Sequence, residues 1–303
     1  MERARDRCAL EKLNETPMLV FVHINKTAGS TVRYILRSSY GVRHCDVEPW
    51  HSARDDPPFS TADLRRLRRL YPKLASIAGH RITGYVDLHE SGTEVDYFTI
   101  LRDPVKLCAS RFQYHVDHRQ KKHLVFEDWV QQEWLRNAQT QRIAGTQSVD
   151  DAIRVIGERS MFVGLTERFD ESMVLLKALR VHDLDISYSP VNVAKKGSIA
   201  AALLEDNRSR QALVDANQAD LALYEYVSSE LYPGFQRQYG AGLEQAVLEY
   251  RNASAKTFNR RNLTLSRMKR HGLYRPALRL YRGRRTRRAL ERLLDRPRRA
   301  GDR

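Results

Sequence analysis

Short, unbroken apolar segments that alternate with helical patterns are the first feature of this chain. Such segments are typical of buried parallel strands, because helices cover both faces of a parallel sheet. The helical patterns between them favour right-handed crossovers within one sheet. The alternation predicts four strands, at residues 18–24, 74–80, 95–104 and 161–165.

Apolar residues three and four positions apart predict helices between and after these strands. Residues 45–60 contain three prolines and are expected to form a loop. Residues 61–72 are expected to form a basic helix, with Thr61 as its N-cap and Pro72 as its stop. Further helices are predicted at 29–39, 105–116, 125–136 and 167–180, and 199–251 has a helical pattern only. The predicted fold class is α/β, a parallel β-sheet flanked by helices with a helical C-terminal layer.

Positive charge is concentrated at the C-terminal end. Residues 251–303 hold 19 Lys and Arg against 3 Asp and Glu, a net charge of +16, although the whole chain carries only +15. Residues 1–250 are therefore close to neutral, which disfavours nucleic acid as a partner. We predict a main domain at 1–250 and a basic tail, partly helical or disordered, at 251–303. Three uses of the tail stay open: contact with an anionic membrane, a solvated arm, or capture of a polyanionic acceptor.

Cysteine usage and hydropathy indicate a cytoplasmic protein. Cys8, Cys45 and Cys108 are too few and too scattered for a disulfide framework or a zinc site, which fits a reducing compartment. The N-terminal residues lack the apolar segment of a signal peptide, and no run of about 18 apolar residues predicts a transmembrane helix. We expect a cytoplasmic location, with peripheral contact at the inner face of the membrane through the basic tail.

An anion-binding turn is predicted where the first strand ends, in the stretch HINKTAGST at residues 23–31. Backbone N–H groups and the positive end of the next helix attract an anion, and Lys26 adds a full charge. Thr27, Ser30 and Thr31 add hydroxyl groups. The glycine follows the lysine, so the stretch is not the usual nucleoside-triphosphate loop, and no metal-binding carboxylate is evident nearby. The alternative is an ordinary strand-to-helix turn.

A second anion site is predicted at the end of the third strand, in the stretch ILRDPVKLCAS. Arg102 can hold a phosphate through two parallel hydrogen bonds. Asp103 and Pro104 are expected to fix the turn and open a helix, and Ser110 follows two turns later. The alternative is a surface salt bridge. Because ligands of open parallel sheets bind at the carboxyl ends of the strands, we expect both sites at one edge.

The two stretches HINKTAGST and RDPVKLCASRF, about 75 residues apart, resemble the donor-binding motifs of the sulfotransferase superfamily. The similarity is greatest to the carbohydrate 2-O-sulfotransferases of heparan sulfate and uronyl residues. MFVGLTERFDESMVLL is similar to a further family segment, and the resemblance covers about residues 17–200. It implies a P-loop-like sheet and transfer of a sulfuryl group from 3′-phosphoadenosine 5′-phosphosulfate (PAPS) to a hydroxyl of a carbohydrate or glycolipid, with no metal.

The resemblance also implies roles for individual residues. Lys26 would bind the 5′-phosphate and the bridging oxygen of PAPS, and Gly29 would permit close approach of the chain. Arg102 and Ser110 would hold the 3′-phosphate. The rest of the 5′-phosphate loop would be Thr27, Ala28, Gly29, Ser30 and Thr31. In the stretch NVAKKGS, the residues similar to a basic loop that closes over the 3′-phosphate are Lys195, Lys196 and Gly197.

His80 is the predicted general base, because histidine titrates near neutrality and the family carries a Gly-His base at a comparable position. His23 is expected to support the loop, while His89 and Glu90 are reserve candidates for the base. The remaining histidines considered are His115, His118 and His123, whose spacing fits no single helical face. We therefore expect them to form a basic loop that contacts an anionic acceptor, and no metal site.

Two rival functions stay open on sequence alone. A P-loop nucleotide-dependent kinase would turn over ATP with magnesium and would be indifferent to a 3′-phosphate. A non-catalytic membrane- or glycan-binding protein on a transferase core would lose nothing on the substitution Lys26→Ala.

Overall fold

One parallel five-stranded sheet forms the centre of the protein. The structure is a computed structural model that describes residues 17–50, 57–118, 124–188, 198–254 and 259–283, together with Leu294. Its strands are β1 (Met18–Val22), β2 (His44–Asp46), β3 (Ser76–Gly79), β4 (Val95–Leu101) and β5 (Phe162–Leu165). They lie in the order β2-β3-β1-β4-β5, and every pair is parallel. The predicted α/β fold is confirmed.

Helices cover the sheet and supply the C-terminal layer. Wide π-helical turns at Val227–Leu231 and Arg270–Tyr274 join successive α-helices without a break. The predicted helical character of residues 199–251 is confirmed. The α-helices are α1 (Gly29–Tyr40), α2 (Thr61–Leu70), α3 (Pro104–His118), α4 (Phe126–Val130), α5 (Ala138–Ala144), α6 (Val149–Glu158), α7 (Phe169–Leu179), α8 (Ile199–Glu205), α9 (Asn207–Asp215), α10 (Gln218–Tyr226), α11 (Tyr232–Tyr239), α12 (Leu243–Ser254), α13 (Arg260–Lys269) and α14 (Arg275–Arg282).

Burial of β1 on both faces explains its unbroken apolar sequence. All five residues of β1 are buried, and Val22 lies opposite Gly79 of β3 on one side and Thr99 of β4 on the other. From β1 the chain runs towards β2 at one edge of the sheet, whereas from β4 it runs towards β5 at the other. In open parallel sheets, a crevice where connections diverge in this way is where ligands bind. The fold therefore brings the ends of β1 and β4 together at such a crevice.

Three local predictions are wrong. Residues 44–46 form β2 where a loop was expected from residue 45, because a three-residue polar strand has no apolar pattern to reveal it. The N-cap of α2 is Ser60, not Thr61, since Ser60 and Asp63 form a reciprocal capping box. The helix predicted at 125–136 ends at Val130, where the chain turns extended at Gln132 before a short 3₁₀ turn buries Leu135.

The described part of the basic tail is helical and packed against the main domain. The Tyr274 hydroxyl donates to the carbonyl of Glu48 and accepts from its N–H, at 2.6 and 2.9 Å. Trp50 meets the rings of Tyr274 and Tyr281 edge-on, at 5.9 and 5.3 Å between centroids. Residues 259–283 are therefore not a solvated arm. Every helix in the described ranges is too short or too polar to span a lipid bilayer.

Candidate anion-binding site

Polar side chains follow four neighbouring strands at the carboxyl edge of the sheet. In sheet order, Asp46 ends β2, His80 follows β3, His23 follows β1 and Arg102 follows β4. Parallel strands end at the same edge, so these four residues are neighbours in space although the sequence separates them. The sequence predicted this edge as a site, but it did not predict the contribution of Asp46.

The loop between β1 and α1 has the backbone shape of an anion-binding concavity. Lys26 and Ala28 both adopt left-handed conformations, with φ of 70° and 59°. Alternation of left- and right-handed residues turns successive N–H groups towards one point, an arrangement that binds anions. The Ala28 carbonyl accepts from the N–H groups of Thr31 and Val32 and so closes the first turn of α1. The N–H groups before them donate to no carbonyl among the described residues.

The hydroxyl groups of this loop have different roles. Thr27 is fully buried and donates its hydroxyl to the Ile24 carbonyl at 3.0 Å, so it shapes the loop instead of facing a ligand as expected. Thr31 is also buried, whereas Ser30 is exposed at the start of α1. Ser30 is therefore the hydroxyl of this loop that is open to solvent.

The position of Gly29 leaves no room for a side chain, because the buried His23 ring lies against it. A Cβ atom at Gly29 would lie 1.9 Å from Nε2 of His23, far inside contact distance. The His23 ring is 4% exposed and stacks on Phe21 at 5.3 Å between centroids. Burial, then repulsion from His80, holds the pKa of His23 well below its ordinary value. A neutral His23 ring thus supports the loop from below, as the sequence predicted.

Lys26 and Arg102 are direct neighbours at this edge. Nη1 of Arg102 donates to the Lys26 carbonyl at 3.0 Å, and the Lys26 ammonium lies 5.0 Å from the centre of the Tyr114 ring. Burial and the charge of Arg102 lower the pKa of Lys26. Neither cation forms an ion pair with any described residue. Repulsion between the two cations, which no ion pair among the described residues relieves, favours the binding of an anion.

The backbone of Arg102 is fixed by a buried amide. Gln139 accepts from the Arg102 N–H and donates to the Arg102 carbonyl, both at 2.9 Å. Gln139 in turn is held through its own N–H by the Asp220 carboxylate at 3.0 Å, and Thr140 donates to the same carboxylate. Burial lowers the pKa of Arg102, although Glu167 acts against it. Gln139 thus fixes the backbone of Arg102, while the contact with the Lys26 carbonyl orients its guanidinium.

Helix α3 begins as the sequence predicted. The Asp103 carboxylate accepts from the Lys106 N–H at 2.9 Å, which caps the helix that Pro104 opens. Ser110 is half-buried and has no hydrogen-bond partner among the described residues. It lies one helical turn before Tyr114, and residues four apart share one side of a helix. Because Lys26 packs on Tyr114, Ser110 faces the region around Lys26. The sequence did not predict that Tyr114 is part of this site.

His80 lies beside the loop, with its ring stacked on His23 at 4.0 Å between centroids. Burial of the stacked ring, then repulsion from Arg33 and Arg142, lowers the pKa of His80 to about 4. The residue is nevertheless open to solvent on its outer side. Arg142 also donates to the His80 carbonyl. His80 is therefore an unprotonated, accessible ring at neutral pH, next to the phosphate-type loop.

A buried ion-pair cluster ends β2. The Asp46 carboxylate accepts from Arg33 at 2.6 Å and from Arg37 at 2.7 Å, while His44 lies 3.5 Å away. Burial alone would raise the pKa of Asp46, but His44 and the two arginines hold it well below its ordinary value. Asp46 is thus ionised, and it fixes Arg33 near His80. The sequence offered no signal for this cluster, because its members are up to 13 residues apart across two elements.

A cleft of about 250 Å³ opens next to the loop. Ile24 and Asn25 of the loop line one side, Thr83 lies below, and Arg111 and Arg142 contribute two guanidinium groups. The Thr83 hydroxyl is buried and has no partner among the described residues. Arg111 is only 9% exposed, and burial lowers its pKa. The cleft is therefore polar and positively charged.

Other predicted residues lie elsewhere. His89 is 3.9 Å from Glu94, whose carbonyl accepts from Met18 at the start of β1, so His89 and Glu90 lie at the opposite edge of the sheet and are wrong as reserve bases. His115 lies in α3 and not in the loop that was expected, and its Nδ1 accepts from the Trp129 indole N–H at 3.0 Å. Lys195, Lys196, Gly197 and His123 lie outside the described residues. Within the described ranges, no group of His, Cys, Asp or Glu has the arrangement of a metal site.

Comparison with known proteins adds no assignment. Neither a scan of protein-family models nor a search of curated proteins returned a match to this chain. The sulfotransferase resemblance therefore stays a prediction from motifs, and the geometry of the site carries the functional proposal.

Proposed function

We propose that the protein is a PAPS-dependent sulfotransferase that acts on a hydroxyl of a carbohydrate or glycolipid. The observation that carries the proposal is the contact of Arg102 with the Lys26 carbonyl at 3.0 Å. It joins two cationic sites on adjacent strands, and PAPS has two anionic groups on one adenosine. A nucleotide with a single phosphate chain would need only one of these sites.

The loop would bind the 5′-phosphosulfate. Sulfuryl transfer needs an in-line attack and places negative charge on the bridging oxygen as the sulfur–oxygen bond breaks. Lys26 would balance that charge, and the N–H groups of the loop would hold the 5′-phosphate. Arg102, with Ser110 on the facing side of α3, would hold the 3′-phosphate. Such fixed positive groups lower the barrier because they need no reorganisation during the reaction.

His80 would accept the proton of the acceptor hydroxyl while the oxygen forms its bond to sulfur. The products would be a sulfate ester and 3′,5′-adenosine bisphosphate. A pKa of about 4 keeps the His80 ring unprotonated at neutral pH, so it can accept a proton, but it also makes the free ring a weaker base than an ordinary histidine. A bound phosphosulfate would raise this pKa, because a nearby negative charge favours the imidazolium form.

The cleft that Asn25, Thr83 and Arg142 line is the proposed acceptor site. It adjoins the loop, and Arg142 also touches the backbone of His80, so an acceptor in the cleft would have its hydroxyl near the base. Polar groups of this kind suit a sugar. Cys45 and Cys108 are buried, free thiols, which supports the cytoplasmic location that we propose.

Calorimetric titration with 3′,5′-adenosine bisphosphate tests the proposal. We expect binding that is much tighter than that of AMP and that falls by at least about tenfold in Arg102→Ala, since a charged hydrogen bond is worth about 1.5–3 kcal/mol. Arg154→Ala, an exposed arginine on α6, is the matched control and should bind normally.

Equal affinity for AMP and the bisphosphate would contradict the proposal. Magnesium-dependent turnover of ATP that ignores Arg102 would instead indicate the kinase. A wild-type protein that does not turn over PAPS, together with a Lys26→Ala variant whose membrane or glycan binding is unchanged, would indicate the non-catalytic protein.

A further inference from the structure

Helices α13 and α14 present an exposed surface that has no part in the proposed reaction. Residues 260–283 contain eight Lys and Arg and no Asp or Glu. The side chains that point to solvent combine arginines with apolar groups. We name this surface the C-terminal face and define it by Arg261, Arg267, Met268, Leu273, Arg279 and Leu280.

The opposite side of the same helices is fixed to the main domain. Tyr274, Leu278 and Tyr281 are at most 2% exposed, and Arg270 donates to the Asp46 carbonyl at 2.8 Å. Because these contacts anchor both helices, the C-terminal face has a definite orientation relative to the sheet. A docked helix with a fixed outer surface differs from a charged arm that samples many conformations.

The positive charge of the C-terminal face is not balanced within the described chain. Nη atoms of Arg270, Arg275 and Arg282 lie 3.0, 4.0 and 3.7 Å from the Glu48 carboxylate, so the inner arginines share one counter-ion. The outer arginines of the face, Arg261, Arg267 and Arg279, form no ion pair with any described residue. This part of the surface is therefore complementary to an extended negative charge.

Apolar side chains lie among these arginines. Met268 is 64% exposed, Leu280 is 52% exposed and Leu273 is 39% exposed. Single exposed apolar residues are common, but three on one helical unit between unpaired arginines are typical of helices that lie in a lipid–water interface. A soluble polyanion would use the arginines but would leave the three apolar side chains in water.

We propose that the C-terminal face binds an anionic lipid surface. Arg261, Arg267 and Arg279 contact the phosphate headgroups, while Met268, Leu273 and Leu280 enter the boundary with the acyl chains. The helices lie parallel to the surface, since their inner side stays packed on the main domain. The proposal is independent of sulfuryl transfer, because lipid binding needs neither PAPS nor His80.

Flotation of the full-length protein with lipid vesicles tests the charge component. We expect binding to vesicles of phosphatidylcholine with phosphatidylglycerol and little binding to phosphatidylcholine alone. Each arginine near an anionic surface strengthens binding about fivefold, so R267E/R279E should weaken it by about 25-fold or more. The matched control R208E/R210E makes the same charge change at exposed positions of α9 and should retain nearly all binding.

A second pair of variants tests the apolar component. M268S/L280S should weaken vesicle binding at a salt concentration that screens the arginines, whereas V125S/L248S, at comparably exposed apolar positions, should not. Circular dichroism verifies that all variants are folded. The proposal is overturned if the wild-type protein ignores the anionic vesicles. It is also overturned if M268S/L280S binds them normally while dextran sulfate competes fully, since the occupant would then be a soluble polyanion.

Discussion

Positive charge occurs at two places on the carboxyl edge of the sheet, and the two places differ in what balances it. At β2, Arg33 and Arg37 bind the two carboxylate oxygens of the buried Asp46. After β1 and β4, the Arg102 guanidinium donates to the Lys26 carbonyl, and neither cation forms an ion pair with a described residue. Buried charge is costly unless it is paired. The β2 half is therefore complete without a ligand, whereas Lys26 and Arg102 of the β1–β4 half have no ion-pair partner among the described residues, and an anionic ligand would supply one.

This difference separates support from binding within one cluster of residues. Counting cations would have marked Arg33 and Arg37 as ligand-binding residues as readily as Lys26. Their buried carboxylate shows that they stiffen α1 against β2. His80 lies between the two halves. It is next to the unpaired cations of the β1–β4 half and near the paired arginines of the β2 half.

The largest expected effect comes from replacing His80, the histidine that lies between the two halves. His80→Asn should lower turnover of PAPS, with added polysaccharide as acceptor, by about 10²–10⁴-fold, because a general base contributes that much. Binding of 3′,5′-adenosine bisphosphate should stay unchanged. His89→Asn, at the opposite edge, is the control and should remain active. Normal turnover in His80→Asn would show that the proton leaves by another route.

Removing the ion pairs of the β2 half should lower the free energy of unfolding and not the affinity for the ligand. Asp46→Ala leaves Arg33 and Arg37 without their shared counter-ion, and such losses cost about 3–5 kcal/mol. Urea unfolding measures this free energy. The control is Asp151→Ala, whose pair with Arg154 is exposed to solvent and should contribute little to stability. If Asp46→Ala lowered the free energy of unfolding as little as Asp151→Ala does, the ion pairs of the β2 half would contribute no more than an exposed surface pair.

Gly29→Ala should disturb the packing of His23 beneath the loop that holds Lys26. The added Cβ would displace the His23 ring, and overpacking of this kind costs about 1–3 kcal/mol of unfolding free energy. Gly157→Ala in α6 is a sharp control, because nothing lies within 4 Å of its Cβ position and removing a helical glycine should stabilise by about 0.5–1 kcal/mol. Opposite signs for the two glycines are the expected outcome. A neutral or stabilising Gly29→Ala would show that His23 does not pack there.

Gln139→Leu should loosen Arg102 without touching the ligand. Both hydrogen bonds from the amide to the Arg102 backbone are lost, and we expect about tenfold weaker binding of 3′,5′-adenosine bisphosphate, equal to about 1.4 kcal/mol. AMP binding should change less, since AMP has no 3′-phosphate. Gln245→Leu, at an exposed position of α12, is the control for the same substitution. Bisphosphate affinity that survives Gln139→Leu would mean that the guanidinium is positioned by other contacts.

The sequence predicted the β1–β4 half of the site better than the β2 half, for a physical reason. Lys26 and Arg102 directly follow apolar strands, so strand prediction and the geometry of parallel sheets were enough to bring them together. The Asp46 pairs join a three-residue polar strand to α1, and no periodic pattern announces such a strand. Gln139, 37 residues after Arg102, is likewise found only once the tertiary contacts are known.

The C-terminal helices show the same limit. Their charge and helical pattern were visible in the sequence, but their docking depends on contacts such as that of Tyr274 with Glu48, 226 residues earlier. Composition alone therefore left a membrane contact, a solvated arm and capture of a polyanion open, and it did not predict docking on the main domain. Burial of one side of the helices excludes the solvated arm for residues 259–283.

The smallest expected effect is the response of the two halves to acid. The pKa of His80 is lowered from its ordinary 6.5 to about 4, so as pH falls below 6.5 the unfolded chain takes up a proton before the folded one. The stability that neutral His80 contributes is thus present above pH 6.5 and is lost progressively between 6.5 and 4. Asp46, whose pKa is lowered, stays ionised over this range and keeps its pairs. Urea unfolding across this range should show a shallower decline in His80→Asn than in the wild type, by less than about 1 kcal/mol because the ring is partly open to water. Parallel curves would mean that His80 titrates as a free histidine, and that its stack on His23 does not persist in solution.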